Sequence, residues 1–207
     1  MWAGPRWRLA PERDNLRETP QTNREPLNEI DASVPIRAKR GEELAFIEIV
    51  DFYYPRCLRF ARNMLQNDQD AEEAVQDAFV RVHNSFPRFR EDARFDPWLF
   101  RILANRCRTL LARGRRHSAL IEYGDVPITA AAAQEDYGAD WAEEVRVVLD
   151  SLPADQKEAF LLRHVEDLSY EDIAALTGVR LSALRMRVKR ACDTLRARLT
   201  EAELHER

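Results

Sequence analysis

Residues 95–116, FDPWLFRILANRCRTLLARGRR, restrict the fold of this chain more than any other stretch. Trp98, Leu99, Ile102, Leu103, Cys107, Leu110 and Leu111 recur at three- and four-residue spacing, the pattern of a helix with one buried face. The other side carries Arg101, Arg106, Arg108, Arg113, Arg115 and Arg116, with no acid between Trp98 and Arg116. A helix of this kind needs an apolar partner on one side and either solvent or a polyanion on the other.

The remainder of the chain repeats the helical period. Gly is scarce, β-branched alternation is rare, and the 45% hydrophobic content is enough for compact cores, so the expected class is all-α. Residues 1–40 are rich in Pro, Arg, Glu, Asn and Thr without a sustained apolar period, and read as a disordered arm. From Glu42 a stripe of Leu44, Ile47, Val50, Tyr54, Leu58, Ala61 and Leu65 predicts helix, with Pro55 expected to divide it into two shorter helices near Tyr54. Residues Asn67 to Asp70 are expected to form a turn with a helix cap, with Asp70, Glu72 and Glu73 on the first turn, where the helix dipole favours acids, of a helix that buries Val75, Ala78, Phe79 and Val82 up to about Ser85. Phe86, Phe89 and Phe95 then fall in an expected loop. They either tuck under it as a small core or shape a pocket beside nucleic acid.

Residues 114–139 combine Gly, Pro, four consecutive alanines and acids, and are expected to be a linker between two helical domains, residues 41–113 and 140–200. Beyond it, Val145, Val148, Leu149 and Leu152 point inward, Pro153 opens the next helix, and Phe160, Leu161, His164 and Val165 continue the inward face. Residues 168–198 have the grammar of a helix-turn-helix. Ser169 and Asp172 form a capping box, Gly178 is the expected site of positive φ, and the second helix buries Leu184, Val188, Ala191, Cys192, Leu195 and Leu199. That helix leaves Ser182, Arg185, Met186, Lys189 and, to one side, Arg187 and Arg190 exposed, as a reader of the major groove requires.

Composition excludes several classes. No apolar run approaches the ~20 residues that cross a bilayer and the N-terminus lacks a signal-peptide core, so the expected location is cytoplasmic, without membrane insertion. Cys57, Cys107 and Cys192 are far apart at apolar helical positions, and His83, His117, His164 and His205 supply no metal-ligand spacing, so free thiols and no metal or cofactor are expected. No paired carboxylates, nucleophile or base cluster predicts an enzyme.

The two basic elements, in this order, resemble bacterial RNA polymerase sigma factors of the extracytoplasmic-function group of the sigma-70 family. The resemblance runs from Glu42 to about Leu199 and is most specific at DAEEAVQDAFVRV (70–82), FDPWLFRILANRCRTLL (95–111) and LPADQKEAFLLRHVEDLSYEDIAALTGV (152–179). It implies a sigma-2-like bundle joined by a flexible linker to a sigma-4-like helix-turn-helix domain. The implied activity is to bind core RNA polymerase and direct promoter recognition, DNA melting and transcription initiation at a specific regulon, without catalytic residues. Asp70, Glu73, Gln76, Asp77 and Arg81 correspond to the polymerase-binding surface. Phe89, Arg94, Phe95, Trp98, Arg101, Asn105 and Arg108 correspond to minus-ten recognition and melting, and Ser182, Arg185, Met186, Lys189 and Arg190 to minus-thirty-five recognition. The implied partners are the clamp and flap of the large polymerase subunits and promoter DNA, with an anti-sigma factor as a further candidate. Ser182 and Ala183 stand where the family usually carries a Gly-Thr pair, with Arg180 in place of Pro; the hydroxyl moves by one residue, which is expected to preserve capping. His83 and Asn84 replace a frequent aromatic and a basic residue. A regulator using only the helix-turn-helix, which would not explain WLFRILANR, and an interaction protein whose arginine helix packs on an acidic partner are the competing readings; a polymerase-dependent gain of promoter binding belongs to the sigma factor alone.

Overall fold

Helix α2, Glu43–Leu65, is the axis of the N-terminal unit. It buries Ala45, Ile49, Tyr53, Cys57, Phe60, Ala61 and Met64 against α3, Asp68–Ser85, and α4, Phe95–Ile121. The expected break at Pro55 does not occur: one continuous helix of 23 residues passes through it. Proline removes one backbone donor, but the buried residues on both sides of position 55 hold the two halves in a single packing register. The computed structural model describes the backbone of residues 30–121 and 139–205, and side chains for residues 30–114 and 145–200. The expected disorder of residues 1–29 and most of the expected linker lie outside the described residues.

Two expectations at the domain borders need correction. Residues 33–39, assigned to a disordered arm, form helix α1, Ser33–Lys39, which buries Val34, Pro35 and Ala38 on α2. Three apolar side chains within seven residues suffice to dock one short amphipathic turn pair, although they are too few to show a period. At the other border, α4 runs past Gly114 to Ile121, into the stretch expected to be linker. A helix already nucleated over five turns loses only about 1 kcal/mol at an interior Gly.

The caps follow the sequence closely. Asn67 accepts a hydrogen bond from the Asp70 amide at 2.9 Å and starts α3. Gln66, at φ 56°, ends α2 in the left-handed region, where the chain turns sharply between the two helices. Phe86–Arg88 forms one 3-10 turn, and the rings of Phe86, Phe89, Phe95 and Trp98 pack with centroids 4.9–6.2 Å apart.

The C-terminal unit contains α5, Ala139–Ser151, α6, Ala154–Phe160, a π turn at Leu161–Val165, α7, Tyr170–Thr177, and α8, Leu181–His205. Ser169 caps α7 through the Asp172 amide (3.0 Å), and Gly178 takes φ 73° between α7 and α8, both as expected. The π turn follows α6 directly. Leu161 goes inward as expected, and Leu162 and Glu166, four residues apart, share the buried side, while His164, expected inside, lies two residues from each and is exposed. Cys192 is only half-buried and lies 3.6 Å from His164. The two units touch: α7 packs on α4, α5 and α6 on α2, and the buried apolar residues of both form one continuous cluster.

Candidate nucleic-acid interface

Four groups of residues define the interface region. The first is the outer face of α3. Glu73, Gln76 and Arg81 are exposed there, and Asp70 and Asp77 are half-exposed. Two of these acids are already engaged: Arg106 of α4 donates from Nη2 to Glu73 at 2.7 Å and lies with Nε 2.9 Å from Asp77. Arg81 pairs with Asp77 more loosely, at 3.6 Å. The arginine helix that lacks internal acids thus draws them from its neighbour.

The second group is the loop and the start of α4. Phe89 and Phe95 are buried in the aromatic cluster, Trp98 is half-buried against it, and Arg94 is exposed. Of the two readings of these rings, the buried one describes this conformation. Arg94, Phe95, Phe89, Tyr53 and the α1 residues Pro35 and Ile36 line a shallow cavity of about 230 Å³. The third group is Arg101, Asn105 and Arg108, spaced along one side of α4. Asn105 shares a cleft of about 260 Å³ with Arg81, Ser85, Arg106 and Thr109, so a residue assigned to melting and one assigned to polymerase binding meet in the same depression. Arg101 is exposed, and Arg108 is turned onto the C-terminal unit.

The fourth group is on α8. Ser182, Arg185, Met186, Lys189 and Arg190 are all exposed, above a buried row of Leu184, Val188 and Ala191. The Arg185 guanidinium lies 5.7 Å from the ring of Tyr170, whose ring also has Arg163 at 5.3 Å, a cation–π arrangement that orients Arg185 in advance. Lys189 pairs with Asp193 at 3.3 Å. The Leu184 amide donates to the Arg180 carbonyl at 3.0 Å, which puts Ser182 inside the first turn and not at the expected cap.

Sequence reasoning missed a buried polar cluster behind these surfaces. The Tyr53 hydroxyl donates to Asp96, and Arg56 reaches Asp96 at 3.3 Å and, through Nε, Glu166 at 3.1 Å. Arg59 adds a 3.4 Å bond to the same Glu166 carboxylate, whose side chain is 0% exposed. Burial raises the Glu166 carboxyl above its ordinary range by more than Arg56 and Arg59 lower it. Glu158 is raised in the same way, burial outweighing Arg108. Burial pushes the thiol of Cys107 up to about 12 and that of Cys57 further, which leaves both protonated and inert. The only sequence signal for the cluster was Arg56 beside an apolar stripe, and charged residues beside such stripes are usually solvated.

With this geometry in hand, the relatives are informative. Residues 49–117 match the family model described as Sigma-70 region 2, and residues 142–195 match Sigma-70, region 4. The chain is 34% identical over 168 residues to RNA polymerase sigma factor CarQ of Myxococcus xanthus, covering 81% of this chain and 97% of that one. It is 30% identical over 174 residues to the ECF RNA polymerase sigma-E factor of Escherichia coli K12, covering 77% and 88%. Among solved structures, the sigma factor RpoE in complex with the anti-sigma factor NepR from Bartonella quintana superposes with a TM-score of 0.66 at 28% identity, covering 75% of this chain and 96% of that one. CnrH in complex with the cytosolic domain of CnrY gives 0.63 at 26% identity, covering 83% and 97%.

The matches to regions 2 and 4 in this order, on two helical units of which one carries a helix-turn-helix, define the class: a non-enzymatic transcription initiation factor. The chain belongs to the extracytoplasmic-function group of the sigma-70 family of RNA polymerase sigma factors. As a sigma factor it works with core RNA polymerase in promoter recognition. Among the described residues, no helix is long and apolar enough to cross a membrane.

Proposed function

We propose that the two units divide the promoter between them. The N-terminal unit binds the polymerase clamp through the outer face of α3 and opens the minus-ten element with Arg94, Trp98, Arg101, Asn105 and Arg108; α8 reads the minus-thirty-five element as duplex with Arg185, Met186, Lys189 and Arg190. The observation that carries this reading is the α8 face: a continuous exposed basic row on a helix that follows a Gly178 turn, backed by a buried apolar row. A face of that shape fits a major groove. Phe89 and Phe95 support the loop from beneath, and base capture falls to the cavity edge near Arg94 and Trp98. The protein acts in the cytoplasm, where the polymerase is, and an anti-sigma protein like those bound to the solved relatives is a reasonable partner for it.

Run-off transcription with core polymerase on a genomic fragment library tests the activity and reports the promoter. On that promoter, Asn105→Ala is expected to keep polymerase binding and upstream duplex binding while reducing permanganate-reactive thymines in the downstream element. A template with a pre-opened bubble should then restore transcription. Absence of any promoter-directed transcript would overturn the assignment, and a stably folded Asn105→Ala chain that the bubble does not rescue would remove Asn105 from strand opening.

A further inference from the structure

Three large apolar side chains project from the N-terminal unit into solvent: Leu44 is 72% exposed, Ile47 47% and Val80 58%. Leu44 and Ile47 stand one turn apart on the outward stripe of α2. Val80 belongs to α3, one turn before His83, whose ring meets that of Phe46 at 5.0 Å. That contact brings the end of α3 beside the first turns of α2, so the three side chains form one patch across two helices. A grouped patch asks for a cover where scattered residues do not.

Acids edge the patch. Glu48 and Asp51 continue the Leu44–Ile47 stripe, Glu43 precedes it, and no Lys or Arg occurs between Glu43 and Tyr54. Glu43 and Asp51 enter no ion pair among the described residues, and Glu48 meets Arg37 loosely, at 3.6 Å. A partner that fits is therefore apolar and cationic together. Nucleic acid is repelled by these carboxylates, and a second copy meeting the patch about a two-fold axis would set the same acids against each other.

The chain itself carries a segment of the required chemistry. Residues 1–11, MWAGPRWRLAP, hold Trp2, Trp7 and Leu9 with Arg6 and Arg8 and no acid, whereas residues 12–29 carry both signs. The reach is also suitable. The residues that follow pack on α2 through α1, and Ile30, where the described chain begins, lines a cavity with Tyr53 of α2. Tyr53 lies about 14 Å along the helix from Leu44, at 1.5 Å per residue. About 20 residues between Leu9 and Ile30 have a root-mean-square coil span of roughly 25 Å, enough for that length and for passage around a helix about 10 Å wide. A tether whose span matches its target gives an effective concentration in the millimolar range, so weak contacts suffice to seat it.

We propose that the segment Trp2–Leu9 docks on this patch of its own chain, with the indoles on Leu44, Ile47 and Val80 and the Arg6 and Arg8 guanidinium groups among Glu43, Glu48 and Asp51. The seated arm borders the α3 face proposed for the polymerase clamp, since Val80 stands one turn after Gln76 and Asp77. The docking follows from the patch and the arm and does not depend on that assignment.

The test uses the full chain, isotope-labelled at its tryptophan indoles. The four signals, from Trp2, Trp7, Trp98 and Trp141, are assigned through single Trp→Phe variants. In the wild type, the Trp2 and Trp7 signals are expected away from their positions in a synthetic peptide of residues 1–11. Leu44→Ser/Ile47→Ser should return both to the peptide positions and leave the Trp98 signal unmoved, which reports an intact fold. Should these outward changes disturb Trp98, Glu43→Lys/Asp51→Lys beside the same stripe carries the same expectation through charge alone. Wild-type signals that coincide with those of the peptide overturn the docking and leave the patch to another protein. Signals that stay displaced in a folded patch variant overturn it as well. Displaced signals that revert on dilution would put the arm on a second copy and overturn the intramolecular seat.

Discussion

Glu166 is held by two arginines, yet burial raises its carboxyl above the ordinary range. The groups facing it are Arg56, Arg59 and Cys57 on α2 and, through Arg56, Tyr53 of the same helix and Asp96 on α4; Glu158 faces Arg108, Arg187, Asp155 and Cys107. In the unfolded chain both carboxyls are hydrated and ordinary, so folding takes up protons. The folded form is then favoured in full below the ordinary glutamate value of about 4.3 and loses that contribution as pH rises through the raised values. A thermal midpoint measured from about pH 5 upward should fall with pH, and Glu166→Gln should flatten the curve. A wild-type midpoint that rises with pH would mean that the arginines outweigh burial. None of this was read from the sequence. Glu166 stands four residues after Leu162 on the buried side, yet a carboxylate at the end of an apolar stripe is ordinarily solvated, and His164, two residues from each, falls on the outer side.

Among the elements, the borders set by side-chain chemistry were the readable ones. Asn67, Ser169 and Gly178 all cap or turn as their types require. Removing a cap has a defined cost: Asn67→Ala should destabilise the chain by about 1 kcal/mol, seen as a lower denaturant midpoint with unchanged slope. Unchanged stability would mean that the tight turn at Gln66 alone fixes the start of α3. Pro55 was misread because a local rule was applied where tertiary packing decides: Ile49 and Tyr53 before it, and Cys57 and Phe60 after it, are all buried in one core. Helix α1 was missed for the opposite reason, since seven residues are too few to display a period but enough to dock. On α3, the acids that read as unspent are partly spent on Arg106. Charge reversal there would repel Arg106 as well as any partner. Glu73→Gln with Asp77→Gln is the cleaner change, and it should weaken association with core polymerase while costing little stability. Undiminished co-purification would move the polymerase contact off this face.

For the whole molecule, the two-unit, all-helical plan and the order of the basic elements were legible, since each rests on long amphipathic stripes. The relation between the units was not, because it depends on charge pairs between residues 50 to 110 positions apart, such as Arg108 with Glu158 and Arg56 with Glu166. The continuity of α4 bears on that relation from another direction. This helix of 27 residues is about 40 Å long, and it does not stop at the edge of its own unit but carries the chain outward to Ile121. A rod of this kind separates reach from aim. Deleting one residue from its outer turns would shorten it by only about 1.5 Å but swing the point of departure around the axis by about 100°. A single-codon deletion there would thus change the direction in which the chain leaves the helix far more than the distance at which it leaves.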